Sequence, residues 1–328
     1  MSRALWFGCG VVLLALLCVA SVTFGARVVS GTEILAGLQG DPETVGAAAV
    51  MKRLPRTVLA VLVGAALALS GASMQAVTRN PLADPAILGV SSGAALAVVT
   101  SISFFGLHRP FALMAVAIGG AAAAAVFVYA ISGLGSGRRS PFALALAGAA
   151  SGAAFISLTN AIMLPRVDLL RTFQFWRIGS VGGASWESVG IMVPLFGIGV
   201  VICALMARGM NALALGDDVA IGLGEHVGRT RAVVAVGAVL LCGAATAVAG
   251  PIGFVGLLVP HLCRTLIGPD HRWLLPFSAL SGAILLLGAD VVGRVITRPE
   301  EIEVGILTAI MGAPFLIWIV RRARVREL

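Results

Sequence analysis

From Thr57 to Val77 the chain runs for 21 residues without a charge. A hydrocarbon layer about 30 Å thick needs about 20 apolar residues at 1.5 Å of rise each, so this run is long enough to cross a membrane as one helix. The polar segment Thr78-Arg79-Asn80-Pro81-Leu82-Ala83-Asp84-Pro85 follows, and a second apolar run rich in Gly, Ala and Ser starts at once. Two spans joined by a tight turn set by its prolines are expected here. The small residues predict helices packed closely on other helices.

The rest of the chain repeats this pattern. Of its 328 residues 59% are hydrophobic and only 12% charged, and mean hydropathy is +1.02. A soluble domain carries about 25% charged residues. Apolar segments near 4–24, 54–77, 86–104, 111–133, 141–164, 186–207, 230–250, 252–268, 273–292 and 304–320 predict about ten spans, with 252–268 a short one. The expectation is an all-α, polytopic membrane protein forming one transmembrane domain over 1–328. Continuous rather than alternating apolar runs argue against a β-barrel. Only Arg3 precedes the first run, which reads as a span that stays rather than a cleaved signal.

The net charge of +8 reads as the basic bias of membrane loops. It does not come with a recognition element for nucleic acid. The basic tail Arg321, Arg322, Arg324 and Arg326 predicts that both termini are cytoplasmic. Thirteen of the 23 basic residues then fall on the tail's side and ten on the other, so the outer arginines need their own explanation. The five cysteines (Cys9, Cys18, Cys203, Cys242, Cys263) lie in apolar runs without CxxC spacing and read as small core residues.

A faint internal repeat is present. Gly64–Gly71 (GAALALSG) resembles Gly243–Gly250 (GAATAVAG), and Gly152–Ile156 resembles Gly312–Leu316. Each pair lies five spans apart, an odd number, so the halves would have inverted topology.

Several chemistries are excluded. The single lysine, Lys52, follows Met51, whereas a P-loop needs Gly-Lys followed by Ser or Thr. There is no HExxH and no cluster of metal ligands. Asp and Glu occupy loops or span ends, with Glu187 and Asp290 nearest to membrane depth. Ion-coupled transporters keep ionisable relays inside the membrane. The energy for active transport is therefore expected from another subunit.

Seven motifs, in order, carry a family resemblance: RLPR (Arg53–Arg56), QAVTRNPLADPAILGVSSGA (Gln75–Ala94), FQFWRIGSVGGASW (Phe173–Trp186), ALALGDDVAIGLGEHVGRTR (Ala212–Arg231), AGPIGFVGLLVPHLCR (Ala249–Arg264), and the two runs Gly268–Arg294 and Arg298–Arg322. The chain resembles the FecCD-type permeases, the membrane subunits of ABC importers for iron–siderophores, haem and cobalamin. The resemblance implies a permease of the bacterial cytoplasmic membrane with no catalysis and no cofactor of its own. Two copies of a separate ATPase would bind ATP and Mg. An extracytoplasmic substrate-binding protein and a second permease copy, identical or closely homologous, would complete the assembly. Ferric siderophore is the commonest cargo of the family, with haem or cobalamin as alternatives. An ion-coupled secondary transporter or a membrane-embedded enzyme are alternatives from other classes.

Residue roles follow from the resemblance. The loop 212–231, with Leu215, Gly216, Asp217, Asp218, Ala220, Gly222, Leu223 and Gly224, would couple to the ATPases. Within it Glu225-His226 departs from the small or apolar pair usual in the family. The outer arginines Arg53, Arg56 and Arg298 would receive acidic residues of the binding protein, with steering rather than large affinity as the physical gain. Asn80, Pro81, Asp84 and Pro85 set the turn between spans 2 and 3: the prolines fix φ, and Asn and Asp are expected to cap the next helix. A gate at the inner mouth is the alternative role. Gly89, Ser91, Ser92 and Gly93 suit close packing or a pathway lining. Phe175 and Trp176, in the segment before span 6, are candidates for an outer gate. His261 reads as a structural histidine.

Overall fold

A computed structural model describes residues 3–25, 28–81, 83–85, 89–107, 109–133, 141–166, 173, 176–298 and 300–326. Among these residues there are thirteen helices and no strand. Seven are long and apolar enough to cross a membrane: α1 (Arg3–Thr23), α3 (Val45–Thr78), α5 (Pro110–Ile131), α6 (Pro141–Met163), α7 (Trp186–Leu205), α10 (Val227–Ala249) and α12 (His271–Ile296). Three further apolar helices are shorter: α4 (Val90–Phe105), α11 (Val255–Ile267) and the apolar part of α13 (Val304–Arg326). These ten coincide with the ten expected segments. The short segment near 252–268 is helical, started after the turn at Gly250, where φ is +71°.

Three short helices complete the chain. α2 (Gly31–Gln39) lies between the first two spans; α8 (Ala207–Ala214) and α9 (Asp217–Gly222) lie between α7 and α10. The sequence reading missed α2, although its start is written in Ser30-x-x-Glu33. The Ser30 hydroxyl accepts from the Glu33 backbone N–H, and the Ser30 N–H donates to Glu33 Oε2 at 2.8 Å. This reciprocal cap satisfies two helix-start donors.

α3 is the centre of the bundle. Its 34 residues span about 51 Å at 1.5 Å each, more than a bilayer core needs. It packs against α2, α7, α10, α11 and α12. Glycines set two of its close crossings. A Cβ on Gly64 would lie 2.3 Å from the Gly282 carbonyl oxygen of α12, and one on Gly71 would lie 1.8 Å from that of Gly256 in α11. Lipid supplies no hydrophobic drive for helices to associate, so dispersion at such close crossings does the work. The repeat segments Gly64–Gly71 and Gly243–Gly250 fall on α3 and α10, two neighbouring and deeply buried helices.

The outer layer is looser. α5, α6 and α7 leave most of their surface outside the chain. α1 lies on α12, with Phe7 and Phe277 edge-on at 5.3 Å.

Candidate functional site

Two polar clusters mark opposite ends of the central helix α3. The first lies near its start. Arg56 donates from Nε to the Asp290 carboxylate at 3.0 and 3.2 Å, from Nη2 at 2.7 Å, and from Nη1 to Glu301 at 2.7 Å. Arg294, one turn beyond Asp290 on α12, holds the other carboxylate oxygen at 2.9 Å. It also donates to the carbonyl and hydroxyl oxygens of Ser21 on α1 at 3.0 and 2.7 Å. Arg53 donates to the carbonyls of Val22 and Thr23 at 2.9 and 3.1 Å, groups that the end of α1 leaves without helical partners. Asp290 is 2% exposed, so its charge is buried and paired twice.

This arrangement redraws the expectation for the outer arginines. Arg53 is buried and Arg56 nearly so, and the named donors go to groups of this chain. Arg298 alone of the three is exposed. Asp290, one of the two carboxylates that the sequence places nearest to membrane depth, is buried within the protein. Two guanidinium groups neutralise it, which distinguishes it from an unpaired ion relay. The spacing Asp290-x-x-x-Arg294 in an apolar helix was the signal available for this pair.

The second cluster lies at the far end of α3. Gly216, at φ +115°, and Gly224, at φ +85°, bracket α9 with backbone at positive φ. Ala220 is fully buried and faces the bundle, whereas Leu215, Val219, Ile221 and Leu223 are 49–66% exposed. These exposed apolar side chains lie on both flanks of Ala220, on the helix and just beside it, and are candidates for contact with a partner. Val219 and Ile221 were missed as candidates, although they flank the chosen Ala220. Asp218 and Gly222 are exposed as well. Asp217 turns back to accept from Arg79 and, at 2.9 Å, from Arg231. Glu225 also turns inward, accepting from the Thr230 hydroxyl at 2.9 Å.

α8 ties this segment to α12. Asn211 donates to Asp270 Oδ1 at 2.6 Å and accepts from the His271 backbone at 2.9 Å. Asp270 caps α12 through the Arg272 backbone N–H. The Asn211 amide, helped by that N–H, holds the Asp270 carboxyl below its usual range.

The turn after α3 departs from one expectation. Neither Asn80 nor Asp84 caps α4; its cap is Gly89, at φ +70°, with no side-chain hydrogen bond. Asp84 lies instead against α11, where a Cβ on Gly256 would sit 3.0 Å from its Oδ2. α4 starts six residues after Asp84, too far along the chain for the expected cap. Asn80 and Pro81 are exposed, and Pro85 is buried.

The small residues of α4 face three neighbours, as a 100° helical step dictates. Ser91 meets Thr246 of α10 at 3.4 Å. Ser92 lies near Gly152 of α6 and bonds the Gly89 carbonyl at 3.1 Å. Gly93 crosses Ala124 and Gly120 of α5 so closely that a Cβ would clash. Trp176 stacks on Phe173 at 5.3 Å, and its carbonyl lies against Gly250. Phe175 lies outside the described residues. A cavity of about 520 Å³ opens between α3, α5, α6 and α10 toward the α9 end, almost wholly apolar, with Arg231 and Tyr129 among its lining residues. Among the described residues no group of His, Cys, Asp or Glu could hold a metal ion.

Comparison with known proteins agrees with this architecture. The profile of the FecCD transport family matches residues 13–322. The ferric enterobactin transport system permease protein FepD of Escherichia coli is 40% identical over 315 residues, covering 95% of this chain and 94% of its own. The probable siderophore transport system permease protein YfiZ of Bacillus subtilis is 44% identical over 270 residues, 82% of this chain and 81% of its own. A solved structure described as an inward-facing metal-chelate type ABC transporter superposes with a TM-score of 0.85 at 30% identity, covering 98% of this chain and 99% of that one. Other relatives are permeases for haem, citrate and cobalamin systems. The chain belongs to the FecCD transport family and is the permease of an ABC importer, a family whose ATPase activity lies on a separate subunit.

Proposed function

We propose that this permease imports a ferric siderophore, driven by a separate ATPase and fed by an extracytoplasmic binding protein. The observation that carries the coupling half of this reading is the set of exposed apolar side chains on and beside α9 (Leu215, Val219, Ile221, Leu223), held between two positive-φ glycines with Ala220 buried against the bundle. A helix built this way suits docking into a cleft on an ATPase. Its rigid-body displacement can then be passed to the spans. The α9 end and both termini would face the cytoplasm. The Arg56–Asp290 end would face outward, with exposed Arg298 receiving an acidic residue of the binding protein. Two permease copies would enclose the pathway, and ATP and Mg would bind only to the ATPases. The siderophore assignment rests on the relatives FepD and YfiZ.

Asn80, Pro81, Asp84 and Pro85 would shape the inner mouth. Gly89, Ser91, Ser92 and Gly93 serve close packing in this reading, and Trp176 would stand at the outer mouth with Phe175.

Reconstitution with the ATPase and binding protein in liposomes tests the proposal. Uptake of labelled ferric siderophore that needs ATP and the binding protein is the expected result. Uptake of haem or cobalamin instead replaces the cargo. Uptake that follows an ion gradient without the ATPase overturns the mechanism.

A further inference from the structure

The short helix α9 is joined to two long spans through a single carboxylate. Asp217, its first residue, accepts from the guanidinium groups of Arg79 and Arg231. Arg79 is the residue that ends α3, and Arg231 lies in the second turn of α10. The two arginines therefore bring the ends of two neighbouring, deeply buried helices onto one side chain of α9.

The backbone of Arg79 supplies a second, independent observation. It is one of two non-glycine residues with positive φ among the described residues, at φ +50° and ψ +32°. A left-handed helix end suits glycine, because a Cβ there is crowded. An arginine in this position carries strain that glycine would not, and strain of this kind gathers where a side chain has a task. The left-handed cap turns the chain so that this side chain meets Asp217. Arg231 reaches further. It lines the cavity between α3, α5, α6 and α10, and its Nε is buried without a hydrogen-bond partner.

We propose that Asp217 is a positioning residue, held by Arg79 and Arg231, that transmits displacement of α9 to α3 and α10. This rests on the reading of α9 as the ATPase-docking helix and states how that helix acts. The reason is mechanical. Charge-assisted hydrogen bonds are short and directional, so a small shift of Asp217 pulls both guanidinium groups with it. Apolar contacts such as that of Ala220 can slide. α3 is also in close contact with α12 at Gly64 and with α11 at Gly71. Displacement at Arg79 therefore reaches the centre of the bundle. Without the linkage the ATPases would dock and hydrolyse ATP while the spans failed to follow.

The test uses the full permease with its ATPase and binding protein in liposomes, and reads labelled ferric siderophore moved per ATP hydrolysed. Arg79→Gly is the informative variant, because it relieves the left-handed backbone while removing the ion pair. Its melting temperature should be equal to or above that of the parent. Its transport per ATP should fall about tenfold, within the usual range of coupling between sites, with ATPase binding retained. Asp217→Asn should behave alike, and Asp217→Glu should restore part of the ratio. An unchanged ratio in Arg79→Gly and Asp217→Asn overturns the proposal. So does loss of ATPase binding in Asp217→Asn, which would make Asp217 a contact to the ATPase itself. Ile221→Asp separates the two readings: it should strip ATPase binding, and if it does not, the docking role of α9 fails.

Discussion

Arg56 of α3 grips the buried carboxylate of Asp290 on α12 from two nitrogens, at 3.0 and 2.7 Å, and Arg294 holds the same carboxylate from the other side at 2.9 Å. The group bridges two helices that are 234 residues apart in sequence. Asp290→Asn should take from Arg56 and Arg294 the charge they share, leaving Arg56 with Glu301 and Arg294 with the oxygens of Ser21. Removing one partner of a buried pair costs about 3–5 kcal/mol. The check is thermal unfolding in detergent, where a clear fall in melting temperature is expected and an unchanged one would show the arginines to be satisfied by carbonyls.

Because Arg56 is occupied inside the protein, Arg298 is the better probe of binding-protein docking. Arg298→Glu should slow association and weaken its salt dependence, as changes at rim charges do. Surface-plasmon measurements of the binding protein on nanodisc-held permease, at several salt concentrations, read this directly. Association rates equal to the parent's would remove Arg298 from the docking surface. Arg56→Glu would place a new carboxylate against Asp290, so any effect on docking would be mixed with misfolding.

The glycines of α3 and α7 should part company. Gly71→Ala would press a Cβ onto the Gly256 backbone, where nothing flexible can give way. Overpacking of this kind costs about 1–3 kcal/mol, and more when backbone must move. Gly190 in α7 has open space around its Cβ position. Gly190→Ala should leave stability equal or raise it by about 0.4–1 kcal/mol through the unfolded state. Paired melting curves decide this.

At α9 the two glycines differ in the same way. Gly224 sits at φ +85°, whereas Gly222 is helical with open space. Gly224→Ala should strain the turn by about 1–2 kcal/mol and reduce ATP-driven uptake. Gly222→Ala should keep uptake near the parent's. Equal uptake in both variants would mean that the turn geometry after α9 is unimportant for coupling.

Asp270 should show itself in pH dependence. Its carboxyl is held below the usual range by the Asn211 amide and the Arg272 N–H. A depressed value in the folded state stabilises above the unfolded value and is lost as pH falls through the folded one. Asp270→Ala should therefore cost about 1 kcal/mol of helix-cap stability at neutral pH. The gap from the parent should close below about pH 4, where carboxylates protonate. A gap that stays constant down to pH 3 would show that the charge of Asp270 contributes nothing.

Much of the fold was legible because membrane spans are written in continuous apolar runs. All ten runs became helices, most of them within a few residues of their expected ends; α3 starts nine residues before the expected 54, and α13 runs six residues past 320. The glycines Gly64 and Gly71 announced close crossings, although not which helix each would meet. The site was harder to read. Arg53, Arg56 and Arg298 look alike in sequence, yet two turn inward and one outward. Which they do depends on where α1 ends and where α12 places Asp290, and no local pattern encodes that. The cap expected from Asp84 failed because α4 starts only at Val90, six residues further on, a boundary that no local pattern marks.

The sequence alone determined that the chain is a helical, polytopic membrane protein without a P-loop, because hydrophobic length, the scarcity of charge and the lysine count are one-dimensional properties. The tertiary structure decided which charges are spent on holding the bundle and which remain free for partners. That choice is made between residues hundreds of positions apart. Asp290 meets Arg56, and Asp217 meets Arg79, only once the helices have packed, and a buried charge is stable only where packing brings it a partner.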